Sequence, residues 1–264
     1  AIGDRALYLG TKKNNIIAIG DSALYNNGIG ITTATEGVRN TAVGSKALYE
    51  NTTGSGNTAV GFETLKSTTT GFENTAFGEG TLTKNTTGNY NAAYGAFSLK
   101  GNTSGSENAA FGMAAAYDNT TGNQNVAVGV GTLYTIKANN RSTAIGFNAM
   151  RYADDRTSGI QTHNTAVGTE ALRGSTTPAN NTGTFNTVVG STSMLLNTTG
   201  AENTVIGAQT MQLNTTGSRN IAVGIATMYH NLTGQYNVGV GSFALFENNS
   251  GSNNVAIGDA ALNK

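Results

Sequence analysis

The chain has no cysteine and no tryptophan, and Pro178 is its sole proline. Without cysteine a disulfide framework and a thiolate metal site are both excluded. Charge is scarce as well: 11% of residues are charged, and fifteen basic side chains cancel fifteen acidic ones. Neither nucleic acid nor an anionic lipid surface is an expected partner, because nothing basic is clustered. No apolar run reaches membrane-spanning length, so membrane insertion is not expected. What is abundant is 36 glycines, 41 threonines and 34 asparagines in 264 residues, a composition foreign to an ordinary helical or α/β enzyme. Disorder is the alternative for so polar a chain, but the 38% of hydrophobic residues are too regularly placed for that.

The regularity is an internal repeat. A small-bulky-Gly tripeptide recurs at fifteen anchor glycines, from Gly3, Gly20, Gly44 and Gly61 to Gly241 and Gly258. Of the fourteen intervals between them eleven are 17 residues, one is 24 and two are 22. Each copy keeps the same chemistry column by column. One place before the anchor the residue is always bulky (Val43, Val60, Phe77, Tyr94, Phe111), and two places before it stands Ala in twelve copies of fifteen. Three places after it only Ala, Ser or Thr occurs, and the next residue is Leu or Met in all copies but that of Ala116. Four places before it Asn recurs, as Asn40, Asn57, Asn74 and Asn91.

Short β-branched runs between Asn-Thr-Thr-Gly turns read as strands, and seventeen residues are too few for a helical pair. The expected fold is all-β: a parallel β-solenoid, or β-roll, of fifteen 17-residue coils over residues 1–264. Each coil is expected to hold two strands of about four residues, with coils spaced by about 4.8 Å. Stacked coils would bond the Asn column into a ladder along the axis. Gly54, Gly71 and Gly88 share a second turn, where a left-handed backbone is the expected reason for glycine.

Neighbouring residues in a strand face opposite ways, so the bulky and Ala columns cannot both point inward. The bulky column is expected inside. That leaves Ala42, Ala59, Ala76, Ala93, Ala110, Ala127, Ala144, Ala166, Ala222 and Ala256 as an outward seam, too consistently apolar for a solvated position. Closure of identical chains into a homotrimer would bury it.

The copies Asn40-Thr41-Ala42-Val43-Gly44, Asn57-Thr58-Ala59-Val60-Gly61 and Asn254-Val255-Ala256-Ile257-Gly258 resemble the head repeats of trimeric autotransporter adhesins of the YadA type. They are similar also to the arrays of phage and bacterial tail-fibre proteins, although the unit is longer than the usual adhesin head unit. The resemblance implies a trimeric parallel β-roll, extracellular, on a cell surface or a virion tail fibre, that makes adhesive contact with a host-surface receptor or glycan. Neither end carries a polar capping coil, and end-to-end continuation is expected from that.

Chemistry is thinly represented, and neither an enzyme nor a cofactor is expected. The histidines are His163 and His230. Gly28-Ile29-Gly30 and Gly129-Val130-Gly131 precede no helix and lack a phosphate-reaching lysine. Acidic residues are sparse and unaligned, unlike the paired carboxylates of a glycosidase. Three enlarged units, at residues 26–39, 152–163 and 174–185, are the candidate binding positions, since solenoid insertions gather on one face. The last two would cluster Tyr152, Asp154, Asp155, Arg156, His163, Pro178 and Phe185 as receptor-contact loops. Asn51, Asn85, Asn119, Asn197 and Asn214 match the glycosylation sequon and are expected to be modified in a eukaryotic host. The competing reading is a monomeric ice-binding or carbohydrate-binding solenoid, whose threonine row is here broken by Ala92, Ala109, Val126 and Ile221.

Overall fold

The computed structural model describes residues 1–10 and 14–264. The described chain forms two compact units, Ala1–Asn125 and Val126–Lys264. In the first, six parallel strands follow one another in chain order: β1 (Ile17–Ile19), β2 (Thr41–Val43), β3 (Thr58–Val60), β4 (Thr75–Phe77), β5 (Ala92–Tyr94) and β6 (Ala109–Phe111). The second holds eight: β7 (Val126–Val128), β8 (Thr143–Ile145), β9 (Thr165–Val167), β10 (Thr187–Val189), β11 (Thr204–Ile206), β12 (Ile221–Val223), β13 (Val238–Val240) and β14 (Val255–Ile257). Pairing is column on column, with Thr41, Ala42 and Val43 opposite Thr58, Ala59 and Val60. The fold is a parallel β-solenoid of about thirteen turns of about seventeen residues, with no α-helix among the described residues.

The expected fifteen coils are therefore too many. Counting anchor glycines counts levels rather than closed turns, and at the first level Ile2 makes only an isolated bridge to Ile19. Each coil also has one three-residue strand rather than two of four. The run Ala47-Leu48-Tyr49, expected as the second strand, is a turn segment. Lys46 and Leu48 have φ of 57° and 51°, in the left-handed region, which interrupts an extended backbone. That conformation costs roughly 1–2 kcal/mol for a residue with a Cβ. Burial of Leu48 offsets it, worth roughly 1.5–3 kcal/mol, as does the Leu48 N–H donated to Thr64 O in the next coil at 3.0 Å.

The inside and outside of the sheet are the reverse of the expectation. Ala42, Ala59, Ala76, Ala93, Ala110, Ala144, Ala166 and Ala222 are fully buried, and Ala127 and Ala256 nearly so. They are core, and they form no outward seam. The bulky column beside them faces out: Phe77 is 36% exposed, Tyr94 37% and Phe111 40%. The interior has no room for it, because the Leu or Met column already fills the coil together with buried Asn side chains. Gly239 shows how tight the fit is. A Cβ there would lie 2.8 Å from Thr227 Cγ2 and 3.0 Å from Met228 Cε, so in that coil alanine requires those side chains to shift.

The Asn column is the axial ladder expected of it. Asn74 Nδ2 donates to Asn57 Oδ1 at 3.1 Å and to Gly88 O at 2.8 Å, and the Asn74 N–H donates to Asn57 Oδ1 at 3.0 Å. A second buried ladder stands seven places after the anchor. There Asn102 donates to Asn85 and Asn119 to Asn102, each at 2.8 Å, and in the second unit Asn214 donates to Asn197 at 2.8 Å. The sequon residues Asn51, Asn85, Asn119, Asn197 and Asn214 all belong to it, buried with their amides engaged. A glycan on any of them is incompatible with the folded coil, which corrects the expectation of modification. Glycine in the Asn-Thr-Thr-Gly turn also has a different cause from the one expected. Gly54 does not have positive φ; a Cβ there would lie 2.3 Å from Gly71 O of the next coil. The anchor Gly44, at φ 131°, is the position that does need glycine's backbone freedom.

Candidate functional site

The enlarged coils of the second unit hold all seven expected contact residues, but as separate local arrangements. Asp154 is 3% exposed and turned into the fold. Its Oδ1 accepts the Arg156 N–H at 3.0 Å, and its Oδ2 takes the Arg156 guanidinium, with Nε at 2.5 Å. The charge buried by the loop is thus neutralised within three residues, as burial of a carboxylate requires. Asp155 points elsewhere, 3.6 Å from Lys137 Nζ. His163 lies exposed, stacked on Phe185 with ring centroids 5.1 Å apart and planes 14° apart. Its Nε2 is 3.2 Å from Gln161 Oε1.

The third enlargement is folded by its own polar side chains. Pro178 opens a single 3-10 turn, Pro178–Asn180, suited to its fixed φ. Asn181 closes the loop, accepting the Ser175 N–H at 3.0 Å and donating to Tyr152 O of the preceding enlargement at 2.5 Å. The structure therefore joins Tyr152 to the Pro178 loop and His163 to Phe185. It does not gather the two aspartates and the histidine on one centre. Among the described residues no group of three or more His, Asp or Glu side chains is placed to hold a metal ion. Between the enlarged coils lies a cavity of about 30 Å³, bordered by Asn139, Ser142, Asp154, Asn164 and Asn197. That is room for roughly two waters, where the regular ladders are interrupted.

The larger feature is one that sequence reasoning placed on the wrong side. In each unit the outward sheet face carries the bulky column, and the residues just after the anchor glycines widen it. In the first unit Phe62 and Met113 lie exposed beside Val60 and Phe111; in the second, Phe147 and Ile225 lie beside Ile145 and Val223. Phe77, Tyr94 and Phe111 form a continuous stack, with centroids 5.0 and 4.9 Å apart and planes 7° apart. Because these rings cover one another's faces, they present edges outward, as a ridge. The available signal was the Leu and Met column, which already supplies an apolar filling for a narrow coil.

In the column five places before the anchor, charged side chains of successive coils pair along the axis. Arg219 Nε donates to Glu202 Oε2 of the preceding coil at 3.0 Å, and Arg219 also bonds the Tyr236 hydroxyl of the next. The hydrogen bond from Arg219 holds the Glu202 carboxyl below its ordinary range.

No protein-family model, curated protein or solved structure matches the chain.

Proposed function

We propose that the chain is a non-enzymatic structural segment of an extracellular fibre or adhesin, assembled as a homotrimer through the outer faces of its sheets. The observation that carries this reading is the exposed apolar column itself. Soluble monomers show contiguous apolar patches of only a few hundred Å², and larger ones mark association. Here every strand adds a Val, Ile, Phe or Tyr to the outer face, at coil spacing. Copies of the same chain carry the matching periodicity, and closed rotational symmetry buries the face on all of them. Axial hydrogen bonding that engages most of the buried amides supports a stiff, protease-resistant carrier, and the enlarged loops supply irregular surface for a host receptor or glycan.

Mass in solution tests the proposal. Light scattering on the full chain is expected to give three times the 27.0 kDa of one chain. A stable monomer overturns it. One observation favours the monomeric alternative of an ice-binding face: Thr41, Thr58 and Thr75 begin strands beside the outward column and share its direction. A monomer that depresses the freezing point without lowering the melting point of ice would establish that reading instead.

A further inference from the structure

The first enlarged loop walls a groove beside the one glycine of an otherwise side-chain-bearing column. Five places before the anchor, the column from Arg39 to Asn253 carries a side chain in every coil except one, where it is Gly56. Elsewhere those side chains meet their axial neighbours, as Gln124 meets Glu107 at 2.9 Å. Over Gly56 the Glu73 carboxylate folds into the space left by the missing side chain. Arg39 reaches across the gap to Glu73, two coils away, with Nη2 3.7 Å from Oε1. A Cβ on Gly56 would lie 2.6 Å from the same Glu73 oxygen, so the missing side chain is what lets Glu73 and Arg39 meet there.

Beside this ion pair lies a groove of about 350 Å³, open to solvent. Thr35, Glu36 and Arg39 form one wall, Thr53 and Ser55 the floor, and Thr70, Phe72 and Glu73 the other wall. The loop wall is held in place. Glu36 Oε2 accepts the N–H groups of Thr32 at 2.6 Å and Thr33 at 3.2 Å, and these bonds keep its carboxyl ionised, below the usual range. Ser55 Oγ donates to Thr35 O at 2.7 Å, tying loop to floor. Phe72 is fixed by an edge contact with Tyr90, centroids 5.1 Å apart and planes at 82°.

We propose that the groove between the first enlarged loop and Phe72 binds a neutral pyranose saccharide. A pyranose has an apolar C–H face and a rim of hydroxyls. Phe72 offers an aromatic surface for the first, and the carboxylates, guanidinium and threonine hydroxyls offer acceptors and donors for the second. Two carboxylates against one guanidinium leave excess negative charge in the wall, which selects against acidic sugars. This inference does not rest on trimerisation.

The test is saturation-transfer NMR on the full chain with D-glucose, D-galactose, D-mannose and short oligomers of each, and with N-acetylneuraminate as the anionic probe. A neutral sugar is expected to receive saturation on the ring protons of one face, and N-acetylneuraminate none. Gly56→Tyr copies Tyr90 of the same column and Phe72→Asn copies Asn89 of its own, so both substitutions are already accommodated elsewhere in the repeat. Gly56→Tyr displaces Glu73 from the groove wall and Phe72→Asn removes its aromatic surface, and each is expected to weaken binding at least about tenfold, with the melting temperature unchanged for Phe72→Asn. The proposal is overturned if no neutral sugar receives saturation, if N-acetylneuraminate binds as well, or if both variants bind as the parent does.

Discussion

At the scale of single residues, the second Asn ladder has a missing rung. Asn51 donates to Asn27 at 2.7 Å, but Thr68 takes the place above it, and Asn51 Oδ1 and Thr68 Oγ1 are both buried without a hydrogen-bond partner. A buried unpaired acceptor costs roughly 1–3 kcal/mol. Thr68→Asn restores the Asn-Thr-Thr-Gly turn of the neighbouring coils and places an amide between Asn51 and Asn85. The expected outcome is a gain of about 1 kcal/mol in urea unfolding. No gain would mean that the ladder bonds do not add along the axis. The role of Asn as a stacking amide was legible from recurrence alone. Its second column was hidden because the same residues spell a sequon and a turn, two local readings that need no neighbouring coil. Only burial distinguishes them.

At the scale of the strand, what alternation leaves open is the sign. The triplet Ala92-Ala93-Tyr94 requires residues 93 and 94 to face opposite ways, yet says nothing of which is inside. Bulk argued for Tyr94; the volume left by Leu99 decided for Ala93, fully buried where Tyr94 is not. Two substitutions separate the assignments. Ala93→Leu overfills the coil and is expected to cost roughly 1–3 kcal/mol by chemical denaturation. Tyr94→Lys changes only the outer ridge, so the secondary structure seen by circular dichroism is expected to persist, and the proposed trimer is expected to be weakened. Had the bulky column been the core, the lysine would be the ruinous change and the leucine the mild one. The seven loop residues fared similarly. Their neighbourhood followed from chain position, but their pairing did not, since Asp154 turning inward toward Arg156 depends on a loop path that no period dictates.

At the scale of the molecule, each unit is built by contacts between successive coils, so its parts are interchangeable. Removing residues 74–90 rejoins Glu73 to Asn91 with every column kept in step, because the period there is 17. That deletion is expected to fold and melt as a slightly shorter protein. Removing residues 77–92, one fewer, leaves an extra residue inside the strand as Ala76-Ala93-Tyr94, which turns Ala93 outward and Tyr94 inward and is expected to give a chain with a broadened, lower melting transition. Equal behaviour of the two deletions would show that register is not what holds the stack together.

The left-handed turn residues carry this further. Lys46, Glu63 and Phe97 occupy the same strained position, two places after an anchor glycine, yet share neither charge nor size. Their backbone is held by donation to a carbonyl of the coil below, as from Lys46 N to Asp21 O at 2.8 Å, and so it asks nothing of the side chain. Such sites are free for mutation to explore. A lineage that duplicates whole coils can therefore vary its surface at regular intervals while the scaffold underneath stays fixed.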